Sequence, residues 1–162
     1  YWICKRTPAF VNEAQECLGG AGYVEESILP RLYREAPLNS IWEGCGNIQC
    51  LDVLRALARE PATREAVLDE LQPVSRAHPQ IAAELRQLEQ RLADPGEIEF
   101  EARLLVERLA LCLQAAVLER AGNATVSDAF VRSRIGRERG LAFGTLPQDL
   151  ALHELIERAW PD

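Results

Sequence analysis

Residues 18–57, LGGAGYVEESILPRLYREAPLNSIWEGCGNIQCLDVLRAL, decide the fold of this chain. They place a glycine-rich turn and a short, proline-initiated helix ahead of a helix that is apolar over most of its surface. Gly19, Gly20 and Gly22 lack Cβ, so the turn can adopt positive φ and bring backbone N–H groups close to a neighbour. Two interpretations stay open: a helix C-cap followed by a turn, or a backbone cradle for an anion such as a phosphate.

The second part of this stretch contains an isolated carboxylate, Glu43, just before the predicted start of the apolar helix near Asn47. In one interpretation the carboxylate complements the positive end of the helix dipole. In the other, Trp42 gives it an apolar wall and Gly44 leaves open space for a substrate, which are conditions that favour a general base. The second interpretation requires Glu43 to face a bound ligand and not bulk solvent.

The spacing of LGGAGY and LYREAPLNSIWEGCGNIQCLDVLRAL resembles the C-terminal helical domain of the acyl-CoA dehydrogenases, and most closely the branch that contains AidB, the bacterial alkylation-response protein. Members of this family carry a Gly-Gly-x-Gly-aromatic turn and, further along, an aromatic-Glu-Gly-Thr or aromatic-Glu-Gly-Ser signature. Three residues depart from the usual pattern: Trp42 replaces Tyr, Cys45 replaces Thr or Ser, and Ala21 replaces a frequent Asn.

The resemblance implies a role for each matching residue. In the family the glutamate of the signature abstracts the α-proton of an acyl-CoA thioester while a hydride leaves the β-carbon for flavin N5, and the matching base here is Glu43. Gly44 and Trp42 match positions beside the acyl-CoA substrate. The cofactor is FAD in the full-length parent, and the matching cofactor contacts are Glu16, Cys17, Leu18, Gly19, Gly20, Cys45, Gly46 and Asn47.

The resemblance also implies a larger parent protein. Residues 1–59 match the flavin and active-site part of a single C-terminal helical domain, and residues 60–162 match an AidB-type helical extension, with the upstream helical and β domains absent. The parent is expected to be a cytoplasmic bacterial homotetramer that accepts acyl-CoA and passes electrons to an acceptor flavoprotein. A third hypothesis is that the isolated 162 residues act only as a non-catalytic assembly module, which is expected to bind FAD poorly and to lack dehydrogenase activity.

The charge distribution limits a second hypothesis, a DNA-associated flavoprotein with little dehydrogenase turnover. The net charge is −7, from 18 basic and 25 acidic residues, so the chain lacks the basic footprint of most nucleic-acid-binding domains. Four arginines do form a cluster that is the candidate DNA contact: Arg132, Arg134, Arg137 and Arg139. Because Asp128 and Glu138 lie within it, the cluster is more typical of a salt-bridged face.

The five cysteines predict neither a disulfide framework nor a metal site, because their number is odd and no CxxC or Cys/His ligand spacing occurs. Cys4, Cys17, Cys50 and Cys112 are predicted to be buried thiols, which is typical of a reducing compartment. No apolar run is long enough to predict a membrane span.

Helical periodicity without a convincing strand pattern predicts an all-α fold, a helical bundle. An opening helix should reach Leu18 and begin or kink at Pro8, and a short helix should follow Pro30. The apolar helix 47–59 is predicted to be the centre of the bundle. Later helices are predicted at 62–71, at 80–92 and at 97–121. A further helix should begin at Thr125 or Ser127 as its cap and run to about residue 135, and a last helix should begin at Pro147.

Overall fold

The computed structural model describes residues 1–93, 96, 98–136 and 140–160. In these ranges the backbone forms helices, turns and bends and no β-strand, so the predicted all-α fold is confirmed. The chain divides into two compact units, one of residues Tyr1–Ala56 with Glu99–Val106 and one of residues Leu57–Ile98 with Glu107–Asp162. The predicted boundary at residue 59 stays a prediction.

The helices follow one another through short connections. They are α1 (Trp2–Cys17), α2 (Gly20–Tyr23), α3 (Leu29–Glu35), a 3₁₀ helix (Ala36–Ser40), α4 (Gly46–Arg59), α5 (Pro61–Ala77), α6 (Pro79–Ala93), α7 (Ala102–Arg120), α8 (Ala124–Arg134) and α9 (Leu152–Ala159). No helix in the described part of the chain is both long enough and apolar enough to cross a membrane.

The first unit is organised around α1, which packs against α2, α3 and the 3₁₀ helix. Pro8 lies inside α1, where it cannot donate a backbone hydrogen bond, and Val11 is buried. Pro30 stands in the first turn of α3, where a missing N–H has no cost. Helices α1, α2 and α3 and the 3₁₀ helix therefore position the glycine-rich turn and the turn that contains Glu43.

Helix α4 is less enclosed than its composition predicts. Gly46, Cys50, Leu54 and Leu57 recur on one face and are buried. Ile48, on another face, is 53% exposed. The prediction that α4 is surrounded on most sides is therefore wrong for this chain, because the described residues cover only one of its apolar faces.

In the second unit, α5 packs against α6, and the core between them contains Leu71, Val74, Ile81, Leu85 and Leu88. The helix predicted to end at residue 71 instead continues through Pro73 to Ala77. Since a proline removes only one backbone hydrogen bond, burial of the residues on either side, Leu71 and Val74, can offset that loss.

Helix α7 is the element that is buried on several sides. Leu111, Cys112, Ala115 and Ala116 are all buried, and apolar residues occupy most of its circumference. Burial raises the pKa of the Cys112 thiol to about 12. The predicted start of this helix at residue 97 lies outside the described residues, and the helix begins at Ala102.

The last two helices differ in detail from the prediction. Asn123 caps α8 by accepting a hydrogen bond from the Val126 N–H at 3.0 Å, so neither Thr125 nor Ser127 is the cap. Helix α9 begins at Leu152, five residues after Pro147. The prediction that Cys17 is buried is also wrong, because this residue ends α1 at an exposed position; Cys50 and Cys112 are buried as predicted, and Cys4 is half-buried.

Candidate functional site

The glycine-rich turn is the junction of α1 and α2. Leu18 follows the last residue of α1, and Gly19 adopts a φ of 57°, in the left-handed region that favours glycine. The N–H of Gly19 donates to the carbonyl of Glu16 at 3.0 Å. The helix C-cap interpretation of this glycine is therefore correct.

Gly22 and Gly20 serve different purposes in that junction. A Cβ on Gly22 would lie 2.4 Å from the carbonyl oxygen of Gln15, and the Gln15 side chain donates to the Gly22 carbonyl at 3.2 Å. Gly22 thus allows α2 to approach the end of α1 closely. A Cβ on Gly20 would have no atom within 4 Å and its φ is ordinary, so packing within this chain does not explain that glycine. Its backbone remains open to an outside group.

The predicted cofactor contacts at the end of α1 all lie on the surface. Glu16, Cys17, Leu18, Gly19 and Gly20 are consecutive and exposed. Glu16 accepts a hydrogen bond from the Asn12 side chain at 3.1 Å. Together these residues form one continuous exposed stretch of the chain.

Glu43 lies in the turn between the 3₁₀ helix and α4. The N–H groups of Ile41 and Trp42 both donate to the Leu38 carbonyl, which shapes the approach to Glu43. Glu43 is exposed and, among the described residues, has no hydrogen bond or ion pair. Trp42 is 63% exposed, so the residues of this chain do not enclose the carboxylate in an apolar wall. Its role as a base stays a prediction.

Glycine is required at positions 44 and 46 for two different structural reasons. Gly44 adopts a φ of 106°, a conformation that side chains strongly disfavour, so it lets the backbone reverse between Glu43 and α4. Gly46 is buried, and a Cβ there would lie 3.0 Å from the Lys5 side chain and 3.1 Å from the Tyr1 ring. Gly46 therefore lets α4 start directly beside the first turn of α1.

Cys45 is exposed and precedes the first residue of α4. Backbone N–H groups of Ile48 and Asn47 point at its sulfur and lower the pKa of the thiol. Asn47 is held by a second contact, because its side-chain oxygen accepts from the Arg103 guanidinium at 2.5 Å. The first turn of α4 thus directs its backbone N–H groups at the Cys45 sulfur.

Both turns are positioned by one element. The glycine turn continues directly from α1, and the Glu43 turn follows the 3₁₀ helix that packs against α1. A family model for the C-terminal domain of acyl-CoA dehydrogenases matches residues 1–58, which contain both turns. These 58 residues are therefore similar to the C-terminal domain of the acyl-CoA dehydrogenases.

Two relatives are similar to parts of this chain. AidB of Escherichia coli (strain K12), whose name assigns it provisionally to the acyl-CoA dehydrogenases, is 50% identical over 95 residues, which are 59% of this chain and 18% of that protein. Acyl-CoA dehydrogenase family member 11 of Caenorhabditis elegans is 46% identical over 54 residues, 33% of this chain and 9% of that protein. The aligned residues cover less than a fifth of the length of either relative.

The arginine cluster lies outside residues 1–58, and Arg132 within it forms salt bridges. Arg132 lies 2.5 Å from the Asp149 carboxylate and 3.7 Å from that of Asp128. Its side chain is only 25% exposed. Arg137 and Arg139 lie outside the described residues, and Arg134 also has an interaction partner.

One polar cluster in the second unit was not anticipated. The buried Ser127 hydroxyl donates to Glu119 at 2.6 Å, and His78 Nε2 lies 3.2 Å from both Glu119 Oε2 and Ser127 Oγ. The Ser127 hydroxyl, and then His78, lower the pKa of the Glu119 carboxyl. Because the three residues come from separate parts of the sequence, no local pattern predicts their contact. Within the described residues no group of three or more side chains could hold a metal ion.

Proposed function

We propose that this chain is the C-terminal part of an FAD-dependent acyl-CoA dehydrogenase-like flavoprotein, in which Glu43 removes the α-proton of an acyl-CoA thioester. The observation that carries the proposal is the match of residues 1–58 to the family domain, together with the aromatic-Glu-Gly order of Trp42, Glu43 and Gly44. The substrate class, FAD, the tetramer and the acceptor flavoprotein belong to the same proposal.

The residues at the glycine turn fit a bound dinucleotide. The space beside Gly19 and Gly20 leaves room for a diphosphate, since a Cβ at either position would meet nothing within 4 Å apart from its chain neighbours and the backbone of its own helix. Because the Gly19 N–H donates to the Glu16 carbonyl, the candidate phosphate donor is the N–H of Gly20, and N–H groups without a covering side chain are common partners of phosphates. Bound FAD would supply the hydride acceptor of the reaction.

The residues around Glu43 fit a fatty or otherwise apolar substrate. Leu38, Ile41, Trp42 and Ile48 are each more than half exposed in this chain. Exposed apolar side chains at such density are characteristic of surfaces that contact a ligand or another part of a protein. Once water is excluded there, Glu43 gains the apolar surroundings that make a carboxylate more basic.

Two steps fall to this chain's own residues. The Glu43 carboxylate accepts the α-proton. The backbone N–H of Glu43 donates a hydrogen bond that stabilises the negative charge developing on the thioester oxygen. Gly44, with its positive φ and no side chain, lets the substrate pass close to the backbone. Cys45 replaces a hydroxyl with a weaker hydrogen-bonding group, so its contact with the cofactor is weaker than in common members.

The test is the full-length parent protein with Glu43→Gln. Anaerobic addition of acyl-CoAs should bleach the flavin absorbance of the unmodified parent, and the variant should bleach at least about a hundredfold more slowly, since general bases contribute 10²–10⁴-fold. Glu26→Gln is the matched control, because Glu26 is exposed in the same unit and outside the candidate site. Unchanged bleaching in the Glu43 variant would exclude Glu43 as the base.

A DNA-associated function has less support. Its candidate contacts are Arg132 and the neighbouring arginines, and Arg132 is paired with two aspartates. Phosphate binding would require breaking these pairs within an acidic chain. Duplex binding that weakens steeply with salt and is lost in Arg134→Gln would favour this function over the enzymatic one.

A further inference from the structure

A cavity of about 340 Å³ lies in the second unit, between α5 and α7. Its volume is in the range of about 300–1,000 Å³ that is typical of small-molecule sites. Pro73 and Val74 of α5 and Ala116 of α7 give it an apolar lining. The lining is otherwise charged, and the charges determine which ligand the cavity would accept.

Four charged residues line the cavity: Asp69, Glu70, Glu119 and Arg120. Arg120 and Glu70 form an ion pair with each other, so their charges cancel. Asp69 has no hydrogen bond or ion pair among the described residues. The cavity therefore retains the carboxylates of Asp69, which has no cationic partner among the described residues, and of Glu119, which lies 3.2 Å from His78 Nε2.

Glu119 is held in place at the cavity wall. Its Oε2 accepts the Ser127 hydroxyl at 2.6 Å and lies 3.2 Å from His78 Nε2. Within the part of the chain that is described, its other oxygen, Oε1, makes no hydrogen bond. One carboxylate oxygen is thus anchored, and the other is available to a ligand.

We propose that this cavity binds a small alkylamine, with the ammonium group between Asp69 and Glu119 and the alkyl chain against Pro73, Val74 and Ala116. An anion would be repelled, and a neutral alcohol would leave both carboxylates without a counter-charge. A divalent metal is disfavoured because no group of three or more metal-ligating side chains occurs among the described residues. An ammonium group with a short apolar chain satisfies both the charge and the lining.

The binding can be measured by NMR on the 162-residue chain labelled with ¹⁵N. Titration with n-butylamine should shift the amide signals of Val74 and Ala116 with a dissociation constant on the order of 1 mM, as a ligand of five non-hydrogen atoms allows. 1-Butanol should bind at least about fivefold more weakly, and butyrate should leave the signals unchanged. Equal shifts with 1-butanol, or none with n-butylamine at about 50 mM, would overturn the proposal.

Variants separate the charge from the apolar lining. Asp69→Asn removes the negative charge of this exposed side chain and keeps its size. It should weaken n-butylamine binding about fivefold, because the partly exposed ion pair between the ammonium group and Asp69 is lost. Glu65→Gln is the matched control, because Glu65 is exposed one turn earlier on α5 and does not line the cavity. Equal binding by Asp69→Asn and Glu65→Gln would refute the ammonium site.

A second variant tests the anchored carboxylate. Glu119→Gln should weaken n-butylamine binding more than Asp69→Asn, because it removes the charge of the carboxylate that the Ser127 hydroxyl holds at the cavity wall, whereas Asp69 has no such anchoring contact. The shifts that 1-butanol causes should change little in Asp69→Asn, because that ligand uses the apolar lining alone. Loss of 1-butanol and n-butylamine binding to the same extent in Asp69→Asn would contradict the role of charge.

Discussion

Replacement of Gly22 by alanine should destabilise the first unit. A Cβ at this position would lie 2.4 Å from the carbonyl oxygen of Gln15, 2.9 Å from its Cα and 3.0 Å from its carbonyl carbon. All three atoms are backbone, so relief requires α2 to move away from the end of α1. This movement would also stretch the hydrogen bond from the Gln15 side chain to the Gly22 carbonyl.

The magnitude follows from two opposing contributions. Forcing an additional methyl group into a packed contact costs about 1–3 kcal/mol. Alanine recovers up to about 1 kcal/mol, because glycine loses more backbone entropy in a helix. The Gly22→Ala variant should therefore lose about 1–2 kcal/mol of unfolding free energy, which corresponds to several degrees in melting temperature for a chain of this length.

Gly20→Ala is a control with the same substitution in the same helix. A Cβ on Gly20 would meet no atom within 4 Å and its φ is not positive, so this variant should be neutral or up to about 1 kcal/mol more stable. Urea unfolding of both variants, followed by circular dichroism, measures the difference. If Gly22→Ala unfolds at the same urea concentration as Gly20→Ala, the close approach of α2 to α1 is not as described.

Three further predictions concern single groups. Iodoacetamide at pH 7.5 should modify Cys45 first and Cys112 last, because backbone N–H groups lower the pKa of the Cys45 thiol while burial raises that of Cys112 to about 12; equal rates by mass spectrometry would contradict this. Asn123→Ala should reduce the unfolding free energy by about 1 kcal/mol through loss of the α8 cap, and an unchanged urea midpoint would refute it. The pKa of Glu119 is lower in the folded chain than its ordinary value of 4.5, so on acidification the unfolded chain takes up the proton first, and the free energy of unfolding should decrease as the pH falls below about 4.5. Glu119→Gln should make this decrease shallower in acid unfolding curves, and an equally steep decrease in the variant would exclude the effect.

The sequence predicted the helical class and most helix positions because apolar periodicity and proline positions act locally. The helix after Pro30 and the helix near Asn47 begin within one residue of their predicted positions. Pro73 misled the prediction, since tertiary burial of Leu71 and Val74 keeps α5 intact through it. Local signals cannot report how much burial a neighbouring helix supplies.

Exposure was the quantity that the sequence predicted least well. Helix α4 and Cys17 look buried from their apolar neighbours, yet other parts of this chain leave Cys17 and Ile48 uncovered.

The candidate site could be located from the sequence, but the reasons for its glycines could not. The glycine spacing identified the turn, whereas the separate functions of Gly19, Gly20 and Gly22 depend on φ and on the position of Gln15 in space. The His78, Glu119 and Ser127 cluster had no sequence signal, because its members are 41 and 8 residues apart and meet only in the folded unit.

The most direct measurement of the central claim is hydrogen exchange at the α-carbon of a bound acyl-CoA. The full-length parent in D₂O should replace the α-hydrogens of an added acyl-CoA with deuterium, followed by ¹H NMR, and the Glu43→Gln variant with its flavin retained should exchange at least about a hundredfold more slowly. Exchange at an equal rate in the variant would show that another group removes the proton, and the account of Glu43 would be wrong.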